Sequence, residues 1–428
     1  MFNNRIIYFL LFLLLSAFGC KEDPPVVPTP PPRPVYRDTI SVAVEDVTHR
    51  SITVNIKTTV NNPKSTIKFF RIYNSTETQV TDYPITVSDT SIIDDGLQLN
   101  TTYTYYAVRI DTTGERKDSS NVVMAKTYDT TSHNYSWQEF RIGEWQSVLY
   151  DVWGTDENNV YACGSVKIND TVYGIIKWNG NQWLPEKKIG GLQAIIGFSN
   201  SDIWTAGGGV WHFNGAEWEE YTYRDPVITN NISYSSIWGT SSNNLYFGNI
   251  GGKIINWDGS KAEIMAHPTN FPLTDMYGLS SNFILATGST LTTPSIGLLY
   301  NGITWVTLPG LNYNNILLRT VLAVNANQFF ICGSRSYEYI NNQPTEILTQ
   351  APGIIEKIRR NKETGEIVAV GDGFTLLHFN GHDWKDYSYE LNQPNSAFYG
   401  VYITPNKIFA VGSGTNANNA TIFIGTKN

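Results

Sequence analysis

Leu149-Tyr-Asp-Val-Trp-Gly-Thr155, Asn159-Val-Tyr-Ala-Cys-Gly164 and Gly174-Ile-Ile-Lys-Trp-Asn-Gly-Asn-Gln-Trp183 decide the fold, because the chain goes on to repeat them. A second unit carries Ala194-Ile-Ile-Gly197, Asp202-Ile-Trp-Thr-Ala-Gly207 and Val210-Trp-His-Phe-Asn-Gly-Ala-Glu-Trp218. A third has Ser236-Ile-Trp-Gly239, Asn244-Leu-Tyr-Phe-Gly248 and Ile254-Ile-Asn-Trp-Asp-Gly259. Further copies start near Asp275, Thr320, Lys357 and Gly400, the fifth being degenerate. Gly164 to Gly207 is 43 residues, Gly333 to Gly371 is 38 and Gly371 to Gly412 is 41. Each unit holds three short apolar strands and a fourth after an Asn-Gly or Asp-Gly pair, the residues a type I′ hairpin turn favours. Four strands in every ~40 residues, in tandem, predict a β-propeller.

The seventh unit stops three residues after its third strand, Thr421-Ile-Phe-Ile-Gly425. An orphan strand, Tyr135-Ser-Trp-Gln-Glu-Phe-Arg-Ile142, precedes the first unit and has the pattern of the missing fourth strand. It is expected to complete the seventh blade and close the ring, removing the edges an open array would expose. The expectation is a seven-bladed propeller over residues 135–428.

These repeats resemble the Trp- and Gly-rich propellers of bacterial secreted proteins, a class loosely related to sialidase-like and photosystem-assembly propellers. Neither the sialidase Asp-box nor the Gly-His…Trp-Asp signature of WD repeats is intact. The resemblance therefore carries fold and not function.

All twelve Trp fall between Trp137 and Trp384, so composition marks a boundary near 128–135. Upstream, over 38–128, period-two strands appear at Ile40–Val44, Ser51–Ile56, Lys68–Tyr73 and Thr102–Ile110, separated by turn residues. That is the pattern of a small β-sandwich. Leu97-Gln-Leu-Asn-Thr-Thr-Tyr103 resembles the tyrosine-corner stretch of fibronectin type III domains, with Leu99 where Pro is usual and Ile56 where the core Trp is usual. The fold class expected is all-β: a fibronectin type III-like sandwich followed by the propeller. No Arg-Gly-Asp is present, and the resemblance implies a spacer.

Residues 1–19 combine Arg5, an apolar run Ile6–Leu15 and small Ala17 and Gly19. The run is shorter than the ~20 residues of a membrane-spanning helix and reads as an export signal. Ala17-Phe-Gly-Cys20 resembles the lipobox of bacterial lipoproteins, which implies lipidation at Cys20. Lys21-Glu-Asp23 resembles the acidic export tag of surface lipoproteins of the Bacteroidetes. A plain cleaved signal peptide is the competing reading. Residues 20–37 form a linker in which seven of the eleven positions 24–34 are proline. It is either an extended polyproline II spacer or an unstructured tether. The resemblance implies an outer-membrane, lipid-anchored, surface-exposed protein, with the membrane as partner through that anchor.

The chain of 428 residues has 30 Lys+Arg against 38 Asp+Glu, a net charge of −8. No basic cluster is present, so nucleic acid is excluded as a partner. No metal, phosphate or cofactor motif occurs, and the cofactor expectation is none. Cys163 and Cys332 share a repeat position in nearly opposite blades and read as buried free thiols. His212 and His378 also share a position, without convergence.

One column has functional potential. Asp151, Ala194, Ser236, Asp275, Thr320, Lys357 and Gly400 are polar or small on the innermost strands and are placed beside the channel. The possible ligand contacts are Asp151, Ser236, Asp275, Thr320 and Lys357, with no catalytic residue assigned. Asp151 and Asp275, three blades apart, are expected to lie farther apart than the ~5–9.5 Å that paired catalytic carboxylates need. The function expected is a non-catalytic surface lipoprotein whose propeller binds a glycan or an envelope or extracellular protein. The alternative is an extracellular carbohydrate-active enzyme.

Overall fold

The computed structural model describes residues 39–428, except 60–65, 82–84, 86–87, 223, 229–232, 267–268, 291–293, 392–395 and 416–417. Cys20, the signal segment and the Pro-rich linker lie outside the described residues. The structure is all-β, and among the described residues no helix is long and apolar enough to cross a membrane.

From residue 135 the strands form seven four-stranded antiparallel sheets among the described residues. Their innermost strands are Val148–Asp156, Leu192–Ser199, Tyr234–Ser241, Leu273–Ser280, Leu318–Asn325, Ile355–Arg360 and Ala397–Ile403. Each innermost strand touches the next, and the seventh touches the first. The apolar alternation of the sequence is buried between neighbouring sheets. Leu149, Val152, Val160 and Ile176 of the first sheet, for example, share a cluster with Phe409, Val411 and Ile422 of the seventh. The architecture is a β-propeller.

Tyr135–Ile142 is the outermost strand of the seventh sheet. It pairs antiparallel with Ala420–Lys427, from Ile142 opposite Ala420 to Tyr135 opposite Lys427. Beneath that seam Glu366 is wholly buried and accepts hydrogen bonds from Lys427 Nζ (2.8 Å) and Thr131 Oγ1 (2.6 Å). His378 Nε2 lies 3.1 Å from the same carboxylate. Burial pushes the Glu366 carboxyl up, but the bonds from His378, Lys427 and Thr131 outweigh it and bring the group down to about 2. The seam is thus tied by charge as well as by the ladder.

The hairpin turns differ from the type I′ expectation. Gly180 and Gly215 have φ of 91° and 94°, but Asn179 and Asn214 before them do not enter the positive-φ region. Asn179 Oδ1 instead accepts from the amides of Asn181 (3.1 Å) and Gln182 (3.0 Å), making a four-residue loop between Trp178 and Trp183. The carboxamide mimics a backbone acceptor, and the glycine supplies the one left-handed residue the loop needs. A two-residue turn with both residues left-handed occurs in the fifth sheet, at Asn341-Asn342 (φ 52° and 62°).

Residues 40–126 form two further sheets. Ile40–Val47, Ile52–Thr58 and Asp89–Asp94 face a second sheet containing Thr66–Tyr73 and Thr102–Ile110. Val54, Ile56 and Ile92 meet Phe69, Tyr103 and Tyr105 in one core between them. The Gln98 amide donates to Tyr103 Oη at 3.0 Å. This two-sheet unit rests on the fifth and sixth propeller sheets. Arg360 Nη1 reaches Asp46 Oδ2 at 2.9 Å, Asn325 Nδ2 donates to Ser51 Oγ at 3.2 Å, and Tyr128 Oη donates to the Lys362 carbonyl. His49 is buried against Tyr128 and Phe379 in edge-on contacts.

Candidate functional site: a charged floor beneath an aromatic-walled cavity

Every innermost strand carries an irregularity at the same place. The register shifts between Leu149 and Asp151, and likewise at Gln193, Ser235, Thr274, Arg319, Glu356 and Tyr399. A β-bulge inserts one residue and resets the alternation of faces. The inserted residues are partly exposed, whereas Asp151, Ser236, Asp275, Thr320 and Lys357, each one position later, are buried. The expected channel-lining column is therefore a covered layer.

Within that layer the structure brings together the two aspartates that the sequence placed apart, with Lys357 between them. Lys357 Nζ of the sixth sheet lies 3.4 Å from Asp275 Oδ1 of the fourth and 3.8 Å from Asp151 Oδ1 of the first. These sheets are not neighbours, so the three side chains meet across the axis. The two carboxylates consequently approach within about 7 Å, inside the spacing of catalytic pairs, which corrects the expected separation. One long lysine side chain spans the narrow axis, a reach that counting sheets does not reveal.

Asp275 is also gripped by Arg359 through Nη2 (2.8 Å) and Nη1 (2.9 Å), by the Thr320 hydroxyl (2.6 Å) and by the Val321 amide (3.2 Å). Burial alone would raise its pKa, but the charges of Arg359 and Lys357 and these hydrogen bonds hold it well below the usual carboxylate range. It has no proton to give near neutrality. Asp151 Oδ2 accepts from the Ile195 amide of the second sheet (3.3 Å), and Thr320 Oγ1 accepts from the Ile358 amide of the sixth (3.2 Å). An innermost strand has no strand on its axial side, so some of its amides need side-chain acceptors. Three of the column residues supply them, linking the first sheet to the second, the fourth to the fifth and the fifth to the sixth. Ser236 Oγ is buried without a hydrogen-bond partner, and Ala194 and Gly400 have no polar side chain to offer.

Above the floor opens a cavity of about 790 Å³. Its wall is built by the ends of the innermost strands: Trp153, Phe198, Trp238, Tyr277, Arg359 and Tyr402. Of the five contacts assigned from the sequence, Asp151 alone lines this cavity; Ser236, Asp275, Thr320 and Lys357 do not. The wall was legible in principle, since Trp153-Gly154, Trp238-Gly239 and Tyr277-Gly278 recur at strand ends. The glycines have a packing reason. The Trp238 ring lies on Gly278 of the following sheet, where a Cβ would come within 2.6 Å of it, and the Trp153 ring lies on Gly197 in the same manner. Below the floor, the bulge residues Arg319 and Glu356 pair at 3.4 Å. Burial, countered by Arg319, pushes Glu356 up to about 7.

Cys163 and Cys332 are buried free thiols, raised in pKa chiefly by burial, Cys332 to about 12. His212 pairs with Asp202 (2.9 Å) and stacks on Trp204, whereas His378 is held by Glu366. Among the described residues no group of three His, Cys, Asp or Glu side chains is placed to share a metal ion.

No family model matches the chain, and no curated protein matches it. Its fold is similar to a solved structure described as YCF48 bound to D1 peptide. The TM-score is 0.51 at 14% identity, over 70% of this chain and 97% of that one. That likeness speaks for the β-propeller fold.

Proposed function

We propose that the chain is a non-catalytic, lipid-anchored surface protein whose propeller holds a segment of an envelope or extracellular protein. In this reading Cys20 is lipidated at the outer membrane and residues 20–37 lift the folded part off the bilayer. Residues 38–128 form a fibronectin type III-like sandwich, and 135–428 a seven-bladed propeller closed by 135–142. The face-to-face sheets and the Tyr103 bond to the Gln98 amide support the sandwich assignment. The seven sheets in cyclic contact support the blade count.

One observation carries the functional reading: an open cavity stands over a floor whose buried charges satisfy one another. Lys357 and Arg359 neutralise Asp275, and Asp151 is shared with Lys357, so neither carboxylate is left as acid, base or nucleophile. A pocket of this size, with aromatic walls and a polar rim, is what a binding site requires. That a propeller of similar fold has been solved with a peptide bound supports a protein ligand over a glycan.

The test is site-directed photocrosslinking in cells of the full-length protein, with the reactive residue at Thr155 on the cavity rim or at Ile303, which is 88% exposed and does not line the cavity. A discrete protein adduct from position 155 and none from 303 is the expected result. Release of reducing sugar from a polysaccharide, abolished by Asp151→Asn, would replace this reading with the enzymatic one. The anchor is tested separately by Cys20→Ala, which should move the protein from the membrane to the soluble fraction.

A further inference from the structure

We propose that the segment received by the cavity presents a cation, a Lys or Arg side chain, to its rim. This rests on the protein-binding reading above and specifies the chemistry of the partner.

The argument begins with where the basic groups of the site point. Arg359 spends its guanidinium on both oxygens of Asp275 and on the carbonyls of Val321 and Ile358. Arg360, its side chain only 3% exposed, is turned away to Asp46 and the Val47 carbonyl of the sandwich. Lys357 lies in the floor between Asp151 and Asp275. None of the three is available to an anionic ligand, because each already has its counter-charge.

The acidic groups of the rim are arranged in the opposite way. Asp156 accepts from the Asn158 amide and from Asn159 Nδ2, and Glu157 accepts from Asn406 Nδ2 (2.8 Å) and the Thr404 hydroxyl. These donors are neutral. They orient the carboxylates without cancelling their charge. Glu363 completes the set, and among the described residues none of the three forms an ion pair. Lys362, exposed beside Glu363, is among the described residues the one rim ammonium against three carboxylates.

The walls supply an independent reason. Trp153, Trp238, Tyr277 and Tyr402 surround the cavity, and aromatic faces attract cations more strongly as water is excluded. The site already contains one such contact, with the Arg359 guanidinium 5.5 Å from the centre of the Tyr277 ring. A ligand cation entering between rings and carboxylates meets both attractions. A carboxylate or phosphate meets three like charges and the negative faces of the rings. The overall charge of −8 steers encounter in the same sense.

The test is a titration of the full-length protein at low ionic strength, read by intrinsic fluorescence because Trp153 and Trp238 line the cavity. The probes are blocked pentapeptides of glycine with a central Arg, Lys, Gln or Glu, and maltohexaose. The Arg and Lys peptides should bind about tenfold more tightly than the Glu peptide. Glu157→Gln combined with Glu363→Gln, which keeps the hydrogen-bond acceptors, should weaken them several-fold and flatten the salt dependence. Glu263→Gln, an exposed charge away from the cavity, should leave binding unchanged. Equal binding of the Arg and Glu peptides, or an unaltered response of the double variant, overturns the inference. Binding of the Gln or Glu peptide alone also overturns it while leaving the protein-binding reading intact. A response to maltohexaose alone defeats both.

Discussion

Removing the Asp275 carboxylate should be among the most costly single substitutions in the propeller. In Asp275→Ala the side chain that bridges Arg359, Lys357, Thr320 and the Val321 amide disappears from a site 3% exposed. Two cations then remain in the axis with Asp151 as the sole nearby anion, 3.8 Å from Lys357 and serving two amides already. Breaking a buried ion pair in this way costs about 3–5 kcal/mol. For a unit of ~300 residues, with an unfolding entropy near 2.1 cal/mol/K per residue, that lowers Tm by about 5–8 °C. Asp275→Asn should cost less than Asp275→Ala, because its one oxygen can still accept from Thr320 and Val321, although it loses the charge and turns an NH2 donor toward the cations. The pH dependence follows from the depressed pKa of Asp275. A carboxyl whose folded pKa lies below its unfolded value of about 3.9 contributes its full stability above that value and loses it as pH falls toward the folded one. The gap between wild type and Asp275→Asn should therefore be widest near pH 7 and narrow below about pH 4. Differential scanning calorimetry across that range is the assay. Equal midpoints at pH 7, or a gap that does not change down to pH 3, would refute the account of the floor.

Three further outcomes are expected. A chain beginning at 145 loses the eight-residue pairing with Ala420–Lys427 and the Thr131 and Tyr135 hydrogen bonds to Glu366, and should unfold earlier and aggregate more readily than one beginning at 130, by calorimetry and light scattering. Arg360→Ala removes the links to Asp46 and the Val47 carbonyl, and should loosen the two-sheet unit on the propeller, seen as faster proteolysis near residues 128–134 with little change in propeller Tm. Gly197→Ala places a methyl group in the Trp153 ring and should shift the tryptophan emission and weaken cavity ligands, at a cost of about 1–3 kcal/mol from overpacking.

The propeller fold was readable because its signal is written repeatedly: an apolar strand, a glycine, an Asn-Gly loop and a tryptophan recur at steady spacing. The site was readable only in part. Asp151 and Lys357 stood out as polar positions on otherwise apolar strands, yet the bulge at Tyr150 and its six counterparts is invisible to a period-two count. One inserted residue turned an expected lining into a covered layer. The aromatic wall is hidden for the opposite reason: Trp153-Gly154 repeats, and a repeated motif reads as scaffold until a cavity is seen beside it. The seat of the two-sheet unit on the fifth and sixth propeller sheets depends on Arg360 and Asp46, 314 positions apart in the chain, and no local pattern announces such a pair.

The seam between Tyr135–Ile142 and Ala420–Lys427 has a consequence for biogenesis. The first of these strands is made about 280 residues before its partner, so through most of synthesis it is a β-strand without a ladder. Closure of so long a loop costs only slightly more entropy than closure of a short one, but it must wait for the last segment to arrive. Completion of the ring is thus the slow, non-local step, and the interval before it is when the nascent chain most needs a holding factor. Translation that stops before residue 420 would leave an open array with a free edge at both ends. A quality-control protease could recognise that edge before any ligand is met.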